Sequence, residues 1–157
     1  METTYAYLAG TIDADGFISV GKKVASKPRK DGVRATYYVV KIGLSETSPI
    51  VPALLQETFP AWHGSHQPKN PKHKRWYVWQ STNRKAREPL VRLLPYLRIK
   101  QRQAELALAL IDVMERQSVG RNTRNPLSKE QIAEREALYD AVTKLNAPRN
   151  RRKHLAA

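Results

Sequence analysis

Alternation of residue types between positions 33 and 45 constrains the fold more than any other feature of the chain. Apolar or aromatic residues recur there at every second position, with a mixed set between them: Tyr38, Val40, Ile42 and Leu44 against Tyr37, Val39, Lys41 and Gly43. Successive side chains of a strand point to opposite faces of a sheet, so this period predicts a strand with one buried face. Such a sheet packs helices against one face and leaves the other open to a partner.

Helix caps, prolines and hairpin signals divide the rest of the chain into elements. Ser48 and Pro49 are typical of the cap and first residue of a helix, and Ser128 with Gln131 forms a capping box for the last helix. The predicted elements are a helix over 5–14 capped by Thr3 or Thr4, strands from 17 and over 33–45, a helix over 48–59, strands over 63–67 and 74–81, and helices over 84–94, 98–115 and from 128. This order predicts an α+β fold with an antiparallel sheet, in one domain over 1–147, followed by a basic tail over 148–157 that we expect to be disordered.

The charge balance indicates a polyanionic partner. The chain carries 28 Lys and Arg against 14 Asp and Glu, a formal net charge of +14. Nucleic acid is the usual partner of such a chain, because each phosphate that is neutralised releases condensed counterions. An anionic membrane would favour basic amphipathic helices, whereas the densest basic segments here are predicted hairpins.

The chain has no cysteine, which excludes thiolate zinc sites and cysteine nucleophiles. No apolar run is long enough to span a membrane and no secretory signal is recognisable, so we expect a protein that is not secreted.

The segment from Leu8 to Gly16 places two carboxylates, Asp13 and Asp15, at the C-terminal end of the first helix. The partial negative charge of a helix C-terminus disfavours each of them by about 0.3–1 kcal/mol. A divalent cation would compensate, because Mg²⁺ is usually held by one or two carboxylates with water and substrate phosphates. A calcium loop of the EF-hand type is excluded, because the glycine comes too early and Val24 stands where its last glutamate would be.

The same helix has small residues on one side, at Ala6, Ala9 and Gly10. Small residues let two helix backbones approach closely, so a second copy of the chain could pack there about a two-fold axis. The two Asp15 carboxylates would then lie side by side, and bound metal would relieve their repulsion.

Leu8 to Gly16 reads LAGTIDADG and resembles the LAGLIDADG motif of homing endonucleases, with Thr11 in place of leucine. Single-motif members of that family have an αββαββα core followed by helices, which is the order predicted above. They also carry a segment late in the chain that Leu94 to Gln103, LPYLRIKQRQ, resembles. The resemblance therefore implies a LAGLIDADG endonuclease-like fold with a DNA-binding sheet.

The resemblance also implies a role for individual residues. Asp15 would bind the catalytic metal together with the backbone carbonyl of Ala14, and Asp13 would cap the opposing helix of the partner. Lys100 would polarise the nucleophilic water or the scissile phosphate. A polar residue at the end of the second strand would position that water, and the match is open between Ser45 and Glu46.

The outer sheet face and the two basic hairpin tips are the predicted DNA-binding surface. Basic side chains of the first hairpin, Lys22 included, favour contact with phosphates. Strand alternation predicts that Trp76 and Val78 face outward while Tyr77 and Trp79 face the core. The predicted DNA-binding residues are Ser19, Gly21, Lys23, Lys27, Arg29, Lys30, Arg34, Tyr37, Val39, Lys41, Gln67, Lys69, Lys72, Lys74, Trp76 and Val78.

The resemblance, together with the charge and the small-residue helix face, implies a homodimeric, site-specific DNA endonuclease that uses Mg²⁺, with Ca²⁺ or Mn²⁺ able to substitute for binding. Its target would be a long, near-palindromic duplex, in whichever of cytoplasm, organelle or nucleus that DNA lies. The alternatives are a non-catalytic nucleic-acid binder on the same fold, either an RNA-splicing maturase or a DNA-binding regulator, and a monomer that binds nucleic acid through charge alone.

Overall fold

The computed structural model describes residues 1–70, 72–119 and 126–147. A 3₁₀ turn at Asn83–Ala86 precedes the third helix, and another at Leu94–Tyr96 follows it. The elements are α1 (Glu2–Ala14), β1 (Phe17–Val24), β2 (Thr36–Glu46), α2 (Ile50–Thr58), β3 (Trp62–His66), β4 (Trp76–Thr82), α3 (Arg87–Leu93), α4 (Gln101–Arg116) and α5 (Lys129–Asn146). The predicted order and the α+β class are confirmed. The predicted basic tail lies outside the described residues.

The four strands form one antiparallel sheet in the order β1-β2-β4-β3. Val24 pairs with Thr36 at one end of β2, and Tyr77 pairs with Glu46 at the other end. The loop over 25–35 and the loop residues 67–70 and 72–75 therefore extend from opposite ends of the sheet. We call them the first tip and the second tip.

One face of the sheet is buried under the helices, as the alternation predicts. Tyr38, Val40, Ile42 and Leu44 are each exposed by 4% or less. Trp79 on β4 is fully buried, and its indole N–H donates to the Phe59 carbonyl at 3.0 Å. Burial of Trp79 beside Leu44, its partner in the register, places the centre of the core under β2 and β4.

The helices pack against this face of the sheet and against one another. α2 packs on β2 and β4, α4 packs under β1 and β2, and α5 packs against α4 and β1. The capping box of Ser128 and Gln131 at the start of α5 is confirmed. Asn146 near its end donates to the Ile18 carbonyl at 2.8 Å, which fixes α5 to the edge strand.

Several element boundaries differ from the sequence predictions. The N–H of Tyr5 donates to the Met1 carbonyl at 3.0 Å, so Met1 is the N-cap of α1, in place of a threonine. Pro49 is the N-cap of α2, not its first helical residue. Asn83 adopts a positive φ, which asparagine tolerates, and its Oδ1 accepts the N–H of Val40 at 3.0 Å just beyond the end of β4. Within the described part of the chain, no helix has the length and hydropathy that a membrane span requires.

Candidate functional site

The C-terminal end of α1 holds the two carboxylates of LAGTIDADG in different surroundings. Asp13 is buried, whereas Asp15 is exposed. The N–H groups of Asp15 and Gly16 both donate to the Thr11 carbonyl, at 2.9 and 3.3 Å, and the helix ends there. A Cβ on Gly16 would lie 2.8 Å from Cα of Ile12 and 2.9 Å from the Gly43 carbonyl oxygen. Only glycine therefore lets the chain pass from α1 into β1 so close to β2.

Asp13 caps the start of α4 in its own chain. Its Oδ2 accepts the N–H groups of Arg98 and Ile99 at 2.5 and 3.1 Å, and its Oδ1 accepts that of Lys100 at 2.8 Å. Burial acts to raise the pKa of Asp13, but the three N–H groups and the Lys100 charge outweigh it, so this pKa lies below its ordinary value. The resemblance assigned the carboxylate to the helix of a partner subunit. As a correction, the structure uses both of its oxygens within the chain.

Lys100 directs its ammonium group at the end of α1. Its Nζ donates to the Ile12 carbonyl at 2.9 Å and also to the Asp13 carbonyl. The last carbonyls of a helix lack donors from the helix itself and carry partial negative charge, so a cation stabilises them. These bonds use two of the three Nζ protons. Lys100 is therefore held beside the turn that ends in Asp15.

Glu46, at the end of β2, is electrostatically coupled to Asp15. Burial raises the pKa of Glu46, and the negative charge of Asp15 raises it further. Ser45 is exposed on the outer face and pairs with Val78. Of the two residues that the resemblance left open, only Glu46 can ionise, and its pKa depends on the charge of Asp15.

The oxygen atoms at this end of α1 fit a hard divalent cation. The carbonyls of Thr11, Ile12 and Asp13 have donors, whereas no described residue donates to the Ala14 carbonyl beside Asp15. The described residues contain no group of three or more His, Asp or Glu that could enclose a metal ion. Mg²⁺ commonly takes one or two protein carboxylates and completes its shell with water and phosphate oxygens. The donors therefore fit a site that ligands from outside the chain complete.

The residues predicted for helix pairing divide between the core and the surface. Ala9 is fully buried in the core of its own chain, and Asp13 is committed to α4, so neither is free to contact a second copy. Ala6 and Gly10 are exposed, and a Cβ on Gly10 would meet nothing within 4 Å. With the half-exposed Tyr7 they form one open face of α1.

The outer face of the sheet is open along its whole length. The register places on it Phe17, Ser19, Gly21 and Lys23 of β1, Tyr37, Val39, Lys41, Gly43 and Ser45 of β2, Trp62, Gly64 and His66 of β3, and Trp76, Val78, Gln80 and Thr82 of β4. None of these described positions holds an acidic residue. The face can therefore meet a polyanion without charge repulsion.

The two tips extend this surface with cations. Lys27, Arg29, Lys30 and Arg34 lie on the first tip, and Lys69, Lys72 and Lys74 lie on the second, all of them exposed except the half-buried Arg29. Lys74 was predicted inside a strand, but β4 begins at Trp76. Gln67 also lies past the end of its strand, where its side chain bonds the His73 carbonyl at 3.5 Å and the Arg75 guanidinium at 3.3 Å.

Lys22 differs from the other cations of the first hairpin, because it lies on the helix-facing side of β1. Its Nζ is 2.5 Å from Glu136 of α5 and 5.7 Å from the centre of the Tyr139 ring. The same glutamate accepts the Tyr38 hydroxyl. The hydrogen bond to Glu136 raises the pKa of Lys22, and that bond in turn lowers the pKa of Glu136. Lys22 was predicted to contact phosphates. As a correction, Lys22 instead holds α5 to the sheet.

Three further aromatic residues on the outer face, Phe17, Trp62 and His66, are absent from the predicted DNA-binding residues. Trp62 is 62% exposed, and the His66 ring stacks on Trp76 with 4.7 Å between centroids. The predicted strand began one residue after Trp62, which removed it from consideration. Its alternation with Gly64 and His66 was the available signal.

Comparison with known proteins finds similarity in structure only: no family model matches the chain, and no curated protein matches it significantly. The homing endonuclease I-CvuI, solved with a DNA target, has a TM-score of 0.66 at 24% identity, over 96% of this chain and 86% of that one. The archaeal intron-encoded homing endonuclease I-Vdi141I, complexed with DNA, has a TM-score of 0.61 at 16% identity, over 98% and 89%. The LAGLIDADG homing endonuclease I-LtrWI, bound to target DNA, has a TM-score of 0.62 at 16% identity, over 89% of this chain and 44% of that one.

These neighbours are homing endonucleases, as the resemblance of LAGTIDADG at the end of α1 implies. The similarity in each case covers 89% or more of this chain. The chain therefore has the fold of the LAGLIDADG homing endonucleases.

Proposed function

We propose that this protein is a site-specific endonuclease that cuts both strands of a long, near-palindromic DNA duplex as a Mg²⁺-dependent homodimer. The observation that carries the proposal is the grouping of Asp15, Glu46 and Lys100 at one end of α1, where an open and basic sheet face begins. The neighbours solved with DNA support the choice of duplex DNA as the substrate.

Asp15 and the Ala14 carbonyl would hold the metal ion. When bound, Mg²⁺ supplies Lewis-acid activation of water and neutralises charge on the phosphate. The chain offers too few carboxylates to enclose the ion alone, so a phosphate of the substrate and an oxygen from a second copy would complete its ligands. Binding of metal would therefore depend on DNA and on dimerisation.

Glu46 and Lys100 would act on the reacting groups beside Asp15. The raised pKa of Glu46 makes it a better proton acceptor than an ordinary glutamate, which suits a residue that orients or deprotonates the attacking water. The third N–H group of the Lys100 ammonium would donate to a phosphate oxygen, while the other two N–H groups bond the carbonyls at the end of α1. Ser45, on the outer face, would contact DNA rather than the water.

Two copies would meet through the open face of α1. Exposed Ala6 and Gly10 would let the two helices approach closely, with Tyr7 of each copy at the contact. The two Asp15 carboxylates would then lie near the two-fold axis, one for each DNA strand. The fold also occurs in I-LtrWI, a chain long enough to hold two such units, which fits a pair as the working form.

The length of the sheet sets the size of the target. β2 has 11 residues, which span about 36 Å at roughly 3.3 Å per residue. At about 3.4 Å per base pair, one copy would face about ten pairs and a dimer about twenty. Two identical halves favour a palindromic site.

Cleavage of a randomised duplex library in Mg²⁺, followed by sequencing of the broken ends, tests this function. We expect one family of near-palindromic sequences to be cut by the wild-type protein and none by Asp15→Asn. The variant should still bind the same duplexes in Ca²⁺, because Asp15 is exposed and makes no contact that folding needs. Binding by the wild-type protein without any cleavage would instead favour a non-catalytic binder.

A further inference from the structure

The outer face of the sheet is not uniform along its length. Near the acidic turn it carries Phe17, Trp62, Trp76 and Val78, which we call the aromatic patch. Trp62 is 62% exposed and Trp76 is 42% exposed. Large apolar side chains left in water on a sheet of this kind indicate a surface that a partner covers.

Two glycines let aromatic rings of the patch lie over the backbone. A Cβ on Gly43 would be 2.6 Å from Cζ of Phe17, and one on Gly64 would be 3.3 Å from Cζ2 of Trp62. The rings therefore occupy space that side chains at these positions would take. The result is a flat, apolar surface that the edges of base pairs could approach closely.

The patch occupies the rows of the sheet closest to Asp15. Phe17 follows Asp15 by two residues and pairs with Gly43, which pairs with Gln80 and through it with Trp62. The next row, with Ser45 and Val78, lies about 7 Å away, and the row of Trp76 follows at the same spacing. The patch thus spans about 14 Å, or about four base-pair steps.

Two of the three remaining rows have a different chemistry, and the row between them holds Gly21 and Val39. Away from Asp15 the next row is polar, with Ser19, Lys41 and Thr82 side by side, and the one at the far end contains Lys23 beside Tyr37. Polar rows can accept or donate hydrogen bonds to base edges, and the lysines can bind phosphates. Gln80 and Ser45 lie in the rows of the patch and can bond base edges, but Phe17 and Val78 can do neither, so these two side chains must recognise another feature of DNA.

The only apolar group that base pairs present in the major groove is the 5-methyl group of thymine. We propose that the aromatic patch recognises thymine methyl groups, so that the part of each half-site closest to the cleavage centre must contain T·A pairs. This inference rests on the proposed function, because it takes duplex DNA as the partner of the outer face. The basic tips at both ends of the sheet support that choice, since they flank the patch with cations for the phosphates.

Selection of bound duplexes from a randomised library in Ca²⁺ is the first part of the test. We expect T·A pairs to be enriched next to the centre of the palindrome and not in its outer parts. The selected duplex is then made with deoxyuridine in place of those thymines, which removes only the methyl groups. The loss of each methyl group that the patch buries should weaken binding by about fourfold.

Variants connect the loss of affinity to the patch. Trp62→Ala should bind the thymine duplex more weakly than the wild-type protein and should discriminate less between thymine and deoxyuridine. Because Trp62 is mostly exposed, the variant should keep the wild-type circular dichroism spectrum and melting temperature. Lys23→Ala is the matched control, which should weaken binding to both duplexes by the same factor.

The outcomes separate this inference from the proposed function. If no duplex is selected, the proposed function fails. If a duplex is selected and the thymine and deoxyuridine forms bind equally, only the role of the patch is overturned. Tighter binding to single-stranded oligonucleotides than to any duplex would mean that the rings stack on bases, and would also overturn it.

Discussion

Asp13 and Lys100 are bonded to each other through both side chain and backbone. The Asp13 carboxylate accepts the backbone N–H of Lys100 at 2.8 Å, while the Lys100 ammonium donates to the backbone carbonyl of Asp13. Each charge therefore lies at the helix terminus where the helix dipole favours it. The pair fixes the end of α1 to the start of α4, and Asp15 and Lys100 are held in one unit as a result.

Replacing Asp13 with asparagine should destabilise the fold by about 2 kcal/mol, since three N–H groups lose a charged acceptor. The effect should depend on pH. Folding lowers the Asp13 pKa from its ordinary value of 3.8, so the contribution of the carboxylate is complete above that value and is lost as the pH falls through the lower, folded-state pKa. Urea denaturation at pH 7 and at pH 3 should show a large difference between wild type and variant at pH 7 and a smaller one at pH 3.

Asp15→Asn is the matched control for that measurement, because its side chain is exposed at the same helix end. It should not lower the free energy of unfolding at either pH value, because the charge that it removes lies at a helix C-terminus and repels Glu46. An Asp13→Asn variant as stable as the wild-type protein at pH 7 would contradict the capping role.

The sequence predicted the local and periodic parts of this structure, and missed parts that depend on distant contacts. Alternation from Tyr38 to Leu44 was sufficient to predict the buried face, and the capping box at Ser128 was readable because its two members lie three residues apart. The resemblance gave Asp13 a capping role on a partner's helix, but the helix that it caps in its own chain was not readable, because its donors belong to a turn that only the packed helices bring close. The partner of Lys22 was missed for the same reason, since Glu136 lies on α5.

Removing the charge of Asp15 should lower the pKa of Glu46. Burial of Glu46 and the negative charge of Asp15 both raise this pKa above its ordinary 4.5, so Asp15→Asn should return it only part of the way. Titration of the Glu46 carboxyl carbon by ¹³C NMR measures the shift directly. Asp112→Asn, on α4 and paired with Arg87, is the control that should leave the titration unchanged. An identical Glu46 pKa in wild type and Asp15→Asn would remove the argument for Glu46 in the site.

The raised pKa of Glu46 also has a consequence for stability. A carboxyl whose pKa is higher in the folded state favours folding while protonated, and this contribution is lost as the pH rises from about 4.5 through the raised value. Glu46→Gln cannot ionise, so it should gain stability relative to the wild-type protein between pH 4 and pH 7. Thermal melts across this range check the sign, and a relative loss of stability would contradict it.

Gly10→Glu should separate folding from dimerisation. A Cβ at Gly10 would meet nothing within 4 Å, and glycine disfavours a helix interior by about 0.8–1 kcal/mol relative to alanine, so the isolated chain should be as stable as before or more so. If two copies pair through the open face of α1, the new carboxylate should prevent that contact and abolish cleavage. Sedimentation velocity would then report a folded monomer. Ala137→Glu, on an exposed position of α5, is the control that should remain a dimer. A dimeric and active Gly10→Glu would show that the copies meet elsewhere.

Lys22 and Lys23 are neighbours in sequence with opposite roles, which makes them a matched pair for testing the DNA-binding face. Lys23 pairs with Tyr37 on the outer face, whereas Lys22 is bonded to Glu136 beneath the sheet. Lys23→Ala should lower DNA affinity and reduce the slope of log K against log salt by about one, because one phosphate contact is lost. Lys22→Ala should leave the slope unchanged and instead lower the melting temperature slightly, since it removes the ion pair with Glu136 of α5. Fluorescence anisotropy on one duplex at several salt concentrations measures both slopes. Equal reductions for the two variants would mean that the helix-facing side of β1 also meets DNA, and the assignment of the outer face would then be wrong.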